Sequence, residues 1–412
     1  MTRTVATAVL ALALAAGPAA AACSSTPSAE RSAAGTPGAL GTPDAMTHAS
    51  PGPASPLARA TVPRLRVRTL AKGLDHPWDV KPLPGKRLLI TQRERRALTV
   101  WRHGRMHDVR FANGHIWVSG ETGLLGLEVD PRFRRNRTIY TCQGWNLPGG
   151  GHDVRVISWR LNRAYTHARL KRTLLTGFPT SSGRHGGCRL LITRDGALNV
   201  GTGDAAIGTN PEDRTSLGGK TLRLNRHTGR PWLTNPFIHA KNRATRYLTS
   251  YGHRNVQGLA QRHDGSLWSI EQGTYRDDEV NRITLGGDYG YNPVPGYNES
   301  VPMTDQGLPG KQIEAKWSSG PSTIATSGGT FVPRAKRWGA LRGSLAVAVL
   351  KGEEVLFLTF AKDGHLVRSA APAELKRYGR IRTVVDAPDG DLLVTTDNGD
   401  GQDVLLRVRP RG

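Results

Sequence analysis

The stretch TRDGALNVGTGD, residues 193–204, sets an Asp-Gly pair before a short apolar run and ends that run in the polar loop Gly-Thr-Gly-Asp. Asp-Gly favours the tight turns that join antiparallel strands, so the stretch reads as a hairpin turn, a strand and an exposed loop. The theme returns in LPGKRLLITQRE (83–94), VDPRFRRNRTIYTCQG (129–144), QRHDGSLWSIEQG (261–273), LRGSLAVAVLKG (341–352) and APDGDLLVTTDNG (387–399). Helical periodicity is scarce between these units. Six related groups of short strands predict radial repetition: an all-β, six-bladed β-propeller with four-stranded antiparallel blades. A pair of large β-sandwiches would not explain the recurrence. The units are unevenly spaced, which calls for long inserted loops. Four of the strands run out into TQRE, GTGD, EQG and TTDNG. If equivalent strand ends face one way, these loops ring one mouth of the central channel, where a site is expected.

Residues 1–22 carry Arg3, an apolar run from Val5 to Leu14 and a small-residue end, Ala19 to Ala22. That is the pattern of a secretory signal peptide, too short and too alanine-rich for a spanning helix. Cys23 follows at once, and the junction resembles a bacterial lipoprotein signal, with Ala20 where leucine is usual. Ordinary secretion is the alternative. Residues 23–63 then read as a lipidated cysteine and a disordered Pro/Ser/Ala/Gly tether, because they offer too little apolar surface to offset the entropy of ordering. The propeller is expected over 64–412. The protein is thus expected to be exported, either held on the outer face of the cell membrane by its N-terminal lipid or secreted.

Lys and Arg number 57 against 33 Asp and Glu, a formal charge of +24. The densest clusters are RERR (93–96), RFRRNR (132–137) and RLKR (169–172). No aromatic residues interleave them in a repeating way, so no nucleic-acid partner is expected. A solvated surface that meets anionic cell-wall or lipid groups fits an exported protein better. With Cys23 set aside, Cys142 and Cys188 remain. Export permits a disulfide, and one here would brace the loop that follows His185, but spacing alone does not fix a pairing.

His185 lies in SSGRHGGCRL (181–190), between glycines. Glycine removes bulk and permits unusual φ/ψ, which suits a site where something flat approaches the backbone, or a plain tight turn. A second informative stretch, 250–298, holds Arg254 and Asn255 before a strand, then Asp277-Asp278-Glu279 and Gly-Gly-Asp-Tyr-Gly. Acidic residues beside a turn with free carbonyls suit calcium, a hard ion that takes oxygen ligands, and equally suit a solvated turn. Arg380 and Arg382, two apart, point to the same side of a strand. DNGDGQD (397–403) lacks the length and terminal glutamate of an EF-hand and reads as a hairpin turn.

Taken in order, PWDV (77–80), GETGLLGLEVDPRF (120–133), GRHGGCRL (183–190), GTGD (201–204), GGKTLRLN (218–225), YGHRNVQGLA (251–260), EQG…DDEVN…GGDYGY (271–291), IATSGGTF (324–331) and YGRIRTV (378–384) resemble the soluble quinoprotein glucose/sorbosone dehydrogenases, also called aldose sugar dehydrogenases. The resemblance spans essentially all of 64–412. It implies pyrroloquinoline quinone (PQQ) and calcium at the channel mouth, an aldose substrate oxidised at its anomeric carbon to the lactone, and an electron acceptor other than oxygen or nicotinamide. It carries over His185 as the base for the hydroxyl proton and Arg254 as the cation facing the reduced quinone oxygen. Asn255, Thr323 and Glu121 become cofactor contacts, and Lys351, Arg380 and Arg382 become partners of the PQQ carboxylates. The carbonyls of Gly273 and Thr274 fall to a cofactor calcium, which also acts as a Lewis acid. Glu279 and the Tyr289 carbonyl fall to a structural calcium. The glycines around His185 would leave room for a planar ring and a sugar.

The chain departs from the family pattern in four places. Arg184 stands where some relatives carry an aspartate that orients the base. Thr274 replaces a common proline, Asp288 a common asparagine, and Pro321 falls near a tryptophan of glucose-specific relatives. Two other functions fit a propeller with acidic loops and a histidine: a calcium-dependent lactone hydrolase, and a non-catalytic domain that binds glycan or protein. The hydrolase would not need Lys351, Arg380 and Arg382 around a tricarboxylate, and the binding domain would not respond to PQQ or, beyond stability, to His185→Ala.

Overall fold

The computed structural model describes residues 61–411. The expected signal peptide, Cys23 and nearly all of the tether lie outside them. Strand β1 (Leu65–Leu74) comes first. Blade 1 follows as β2 (Pro77–Leu83), β3 (Arg87–Gln92), β4 (Ala97–Arg102) and β5 (Arg105–Val109). Blade 2 is β6 (Leu124–Val129), β7 (Thr138–Asn146), β8 (His152–Leu161) and β9 (Ala168–Phe178), with the four-residue helix α1 (Phe133–Asn136) between β6 and β7. Blade 3 is β10 (Arg189–Ile192), β11 (Ala197–Gly201), β12 (Thr221–Asn225) and β13 (Leu248–Tyr251). Blade 4 begins with β14 (Val256–Gln261), β15 (Leu267–Glu271) and β16 (Glu279–Arg282). The chain then lends β17 (Gly287–Asp288) to blade 3, parallel to β13, before β18 (Trp317–Ser318) completes blade 4. Blade 5 is β19 (Thr326–Phe331), β20 (Leu345–Val349), β21 (Glu354–Phe360) and β22 (Leu366–Ala370). Blade 6 is β23 (Ile381–Asp386), β24 (Leu392–Thr396) and β25 (Asp403–Pro410), and β1 is its outermost strand.

The expected architecture holds, with one addition: blade 3 has five strands because β17 joins it. The ring closes when β1 pairs antiparallel with β25, Leu65 opposite Pro410 and Val67 opposite Val408. The first strands β2, β6, β10, β14, β19 and β23 touch in succession, and β23 returns to β2, so they wall the central channel.

The six repeated sequence units supply β3, β7, β11, β15, β20 and β24, the second strand of every blade. These strands carry the plainest signal for a physical reason. A second strand is hydrogen-bonded on both edges and covered by neighbouring blades on both faces. It therefore reads as a continuous apolar run, as in LAVAV of β20, where all five residues are buried. Outermost strands face water and lose the pattern: β9 exposes Arg169, Lys171 and Arg172. Apolar side chains fill the wedges between blades. Tyr140 and Val156 of blade 2 pack in one cluster with Leu198, Val200 and Leu222 of blade 3. Phe357 of blade 5 packs with Val384 and Val394 of blade 6.

Cys142 of β7 and Cys188, one residue before β10, form a disulfide with Cα atoms 5.7 Å apart. It ties blade 2 to the loop that follows His185.

Candidate active site

The second-strand ends do ring one mouth. A cavity of about 280 Å³ there is lined by His76, Arg93, Glu121, Gln257, Gln272, Leu350, Arg380, Arg382, Asp397 and Asn398. Arg93, Gln272, Leu350 and Asp397 each lie just past the end of a second strand. Glu121, Gln257, Arg380 and Arg382 come from the first strands or the loops that lead into them.

His185 lies beside this cavity and is 3 % exposed. Its φ is +50°, a left-handed conformation that costs a β-carbon residue on the order of 1–3 kcal/mol, so its surroundings must hold it. Its backbone N–H donates to Glu121 Oε2 at 3.2 Å. Its Nδ1 is 2.7 Å from Asp204 Oδ1. A carboxylate can only accept, so in the neutral ring Nδ1 carries the proton and Nε2 keeps its lone pair. Asp204 is fully buried, and both of its oxygens are committed: Ala206 N–H donates to Oδ1 at 2.8 Å and Tyr297 Oη donates to Oδ2 at 2.7 Å. Tyr297 Oη also lies 3.0 Å from His185 Nδ1. Burial and the Asp204 charge push the Tyr297 phenol far up, so it stays a donor. Arg184, in the position before the histidine, turns to Glu299 at 2.8 Å instead. The orienting carboxylate is thus supplied by the Gly-Thr-Gly-Asp loop.

The glycines need a different reason from the one the family suggests. A Cβ on Gly203 would lie 1.8 Å from the His185 carbonyl oxygen, and one on Gly187 would lie 2.2 Å from the Gly203 nitrogen. Two loop backbones pass in contact here, and glycine is what lets them. Room for a ligand comes from the cavity beside them.

Arg254 is 4 % exposed. Its guanidinium donates to the Gln272 carbonyl at 3.0 Å and to Glu299 Oε1 at 2.8 Å, while Nε is buried without a partner. Against its burial, the guanidinium is kept firmly charged by the Asp204 carboxylate and by its hydrogen bond to Glu299. Asn255 donates to Glu121 Oε2 at 3.1 Å, and its Oδ1 is buried and unpaired. Glu121 therefore holds both the His185 loop and Asn255.

Deeper in the channel Arg382 pairs with Asp397 and reaches Gln257 Oε1 and Ser327 Oγ, each at 3.3 Å. Asp397 also takes His76 Nδ1 at 2.8 Å. Despite its burial, the Arg382 charge and the His76 hydrogen bond hold its carboxyl far below the usual range. The same contact raises His76 above its ordinary value. Arg380 is exposed at the rim, its Nε donating to the Asp397 carbonyl at 3.2 Å. Lys351 is exposed in the turn after β20, next to the cavity-lining Leu350. Thr323 does not line the cavity: its hydroxyl donates to both oxygens of Asp278, at 3.0 Å each.

The acidic run is mostly interior rather than a solvated turn. Asp278 is fully buried and accepts backbone N–H groups from Gly273, Ile324 and Ala325. It fixes the turn that carries Gly273 and Thr274. A Cβ at Gly273 would lie 2.2 Å from the Arg276 carbonyl oxygen and 2.5 Å from that of Asp277, so carbonyls crowd this turn, and Thr274 Oγ1 is buried and unpaired. Glu279 faces Glu271 across β15 and β16, both buried, with Asn281 bonded to each. Burial and the Glu271 charge push the Glu279 carboxyl well above its usual range. Asn281 Oδ1 is buried and unpaired. Tyr289 stacks on His253 with ring centroids 4.5 Å apart, and its phenol donates to the Arg282 carbonyl at 2.7 Å. Among the described residues no three or more acidic, histidine or cysteine side chains gather as a metal cluster; what suits a hard cation is the oxygen chemistry of the carbonyl-crowded Gly273 turn and, separately, of the buried Glu271–Glu279 pair. The cavity, with Arg93, Arg380 and Arg382 on its wall and the unpaired Nε of Arg254 beside its lining Gln272, offers donors that fit a polycarboxylate, while the unpaired Oδ1 of Asn255 could only accept, from a ligand N–H.

Asp204, Tyr297, Glu299, Asp397 and His76 were not singled out in the sequence. Asp204 was within reach, since Gly-Thr-Gly-Asp ends a repeat unit. Asp397 sits in a segment that does fold as a hairpin turn, with Asp403 taking the N–H groups of Asn398 and Gly399. Tyr297 and Glu299 lie in the long connection between β17 and β18, which has no repeat to mark it.

Comparison with known proteins agrees with this geometry. Residues 74–407 match the family described as Glucose / Sorbosone dehydrogenase. The chain is 30% identical over 365 residues to the aldose sugar dehydrogenase YliI of Escherichia coli K12, covering 86% of this chain and 94% of that one. The PQQ-bound aldose sugar dehydrogenase from Streptomyces coelicolor superposes with a TM-score of 0.71 at 28% identity, covering 87% of this chain and 100% of that one. The apo form of the soluble aldose sugar dehydrogenase from Escherichia coli gives 0.74 at 28% identity, covering 84% and 100%. With a propeller of six blades, a buried His–Asp pair at its mouth and a family match over most of its length, the chain belongs to the glucose/sorbosone dehydrogenase family.

Proposed function

We propose that this protein is an exported, PQQ- and calcium-dependent dehydrogenase that oxidises the anomeric hydroxyl of an aldose to the lactone. The observation that carries this reading is the fixed tautomer of His185: a buried aspartate holds its Nδ1–H, beside a buried arginine and an arginine-lined cavity. Arg93, Arg380, Arg382 and Lys351 would meet the carboxylates of PQQ, with Asn255 and Arg254 nearer its ring. When bound, PQQ supplies a two-electron oxidant able to accept hydride from a sugar carbon. His185 Nε2 takes the proton of the anomeric hydroxyl as that hydride leaves. Asp204 stabilises the imidazolium so formed, and Tyr297 keeps Asp204 in place. Arg254, clamped by Gln272 and Glu299, offers a fixed cation to the negative charge that develops opposite the sugar. Calcium would take carbonyl oxygens at Gly273 and Thr274, and Glu279 with the Tyr289 carbonyl would hold a second ion. The electron acceptor is a separate molecule. A lactone hydrolase would not need this cluster of arginines to hold a tricarboxylate.

The test is an absorbance titration of the purified chain with PQQ, with calcium and then with a chelator. One PQQ bound per chain, weakened by the chelator and by Arg382→Met, is the expected result. No binding with calcium present would sink the dehydrogenase reading.

A further inference from the structure

A second concentration of charge lies away from the mouth, on the seam that closes the ring. Arg66 stands directly opposite Arg409, and Arg68 opposite Arg407. One step further out, Arg411 N–H donates to the Arg64 carbonyl at 2.8 Å. Leu65, Val67 and Val408 alternate with these arginines and turn inward. The result is an arginine ladder along β1 and β25. Arg337 joins Arg66, Arg409 and Arg411 around an open cleft of about 550 Å³. Three carboxylates stand near. Asp389 and Asp391 pair with Arg407, and Asp391 also pairs with Arg337. Glu374 accepts the Leu65 N–H. Among the described residues, no ion pair is formed by Arg64, Arg66, Arg68, Arg409 or Arg411.

Like charges placed directly opposite across two strands destabilise the pair. Charge on an edge strand guards against aggregation, which would account for arginines on β1. Arg409 is on the inner strand β25, but its pairing with β24 ends at Val408, so Arg409 projects past β24 at the open end of the seam. The ladder also sits where the chain enters the domain. The Thr61 carbonyl accepts the Ala340 N–H at 3.0 Å, which pins the entry beside the segment bearing Arg337. Upstream lie the apolar run and the lipoprotein-like Cys23. The mouth is at the far end: β1 runs ten residues to Leu74, roughly 30 Å, and His76 beyond it reaches the cavity.

We propose that this ladder docks the domain on a surface of anionic phospholipid headgroups, with the sugar-binding mouth turned away from the membrane. The proposal is independent of the reaction at the mouth.

The test is co-sedimentation of the full chain with vesicles of phosphatidylcholine alone or mixed with phosphatidylglycerol. Wild type is compared with Arg66→Gln/Arg409→Gln and, as a control for general charge, Arg169→Gln/Arg172→Gln on β9. Each arginine at an anionic surface is worth about fivefold in affinity. The ladder variant should therefore bind mixed vesicles roughly 25-fold more weakly, with its melting temperature unchanged or raised. Binding to neutral vesicles, which any N-terminal contribution would share, should be the same in all three proteins. Wild-type affinity of the ladder variant for mixed vesicles would overturn the proposal. So would an equal loss in the β9 variant, or full displacement by inorganic phosphate at matched ionic strength, which would make the cleft a small-anion site.

Discussion

The contact between His185 and Asp204 makes a prediction that separates charge from geometry. Asp204→Asn removes the charge. The Ala206 N–H that faces Oδ1 at 2.8 Å then decides which way the new amide turns. With its nitrogen toward Ala206 two donors would meet, so the amide oxygen must take that place. It then still accepts the His185 Nδ1–H, and the Tyr297 hydroxyl can rotate to accept from the amide. The tautomer survives. What is lost is the difference between a charge-assisted and a neutral hydrogen bond, about 1–1.5 kcal/mol, or roughly tenfold in turnover. Asp204→Ala is a different perturbation. It strands the ring N–H, the Ala206 N–H and the Tyr297 hydroxyl in a buried site and frees the ring to turn. The expected loss is roughly a hundredfold to a thousandfold. The assay is dye-linked aldose oxidation by the PQQ- and calcium-loaded chain, with PQQ affinity measured alongside. That affinity should hardly move, because Asp204 does not line the cavity. If asparagine is as damaging as alanine, or harmless, the tautomer argument is wrong.

Three further outcomes are expected. The Cys142–Cys188 bond closes a separation of 46 residues, which corresponds to about 4 kcal/mol of chain entropy, so Cys142→Ala/Cys188→Ala should melt about 5 °C lower by calorimetry. Arg382→Met leaves the buried Asp397 carboxylate without its main cation, a loss of about 3–5 kcal/mol, or roughly 4–7 °C in melting temperature. Adding Asp397→Asn should recover part of it. His76 gives a pH signature: its folded pKa is raised, chiefly by the Asp397 hydrogen bond, so its contribution is complete below the unfolded value near 6.5 and fades as pH climbs through the folded value. Wild type should lose stability over that window in denaturant melts, whereas His76→Gln should not show the loss.

The blades were legible where the chain is most constrained. Each second strand is enclosed on both faces and both edges, so it must be apolar and must end in a turn, and all six were visible as repeats. First strands mix apolar residues with the channel's charges, as Arg189 and Asp79 show by pairing inside the channel at 2.9 Å, and they leave a weaker trace. The site was legible where a residue sits in a family motif on a strand end, as His185, Arg254 and Arg382 do. It was not legible where partners come from far along the chain. Tyr297 lies 112 positions from His185, and only the insertion between β17 and β18 brings it there. Asp204 stands in a visible motif, but the position that would orient the base locally holds Arg184, and nothing in the sequence ties a residue 19 positions on to His185. The acidic run 277–279 is opaque in the opposite sense, since nothing in three consecutive acids reveals that the middle one is enclosed by three backbone N–H groups and the Thr323 hydroxyl.

The most direct measurement is turnover of the full chain loaded with PQQ and calcium, across a panel of aldoses with an artificial dye as acceptor, beside His185→Ala. Sugar-dependent dye reduction by the wild type is the predicted result, with at least a hundredfold loss in a variant that still binds PQQ. A loaded wild type that reduces no dye with any sugar, or a His185→Ala variant that turns over at the wild-type rate, would contradict it.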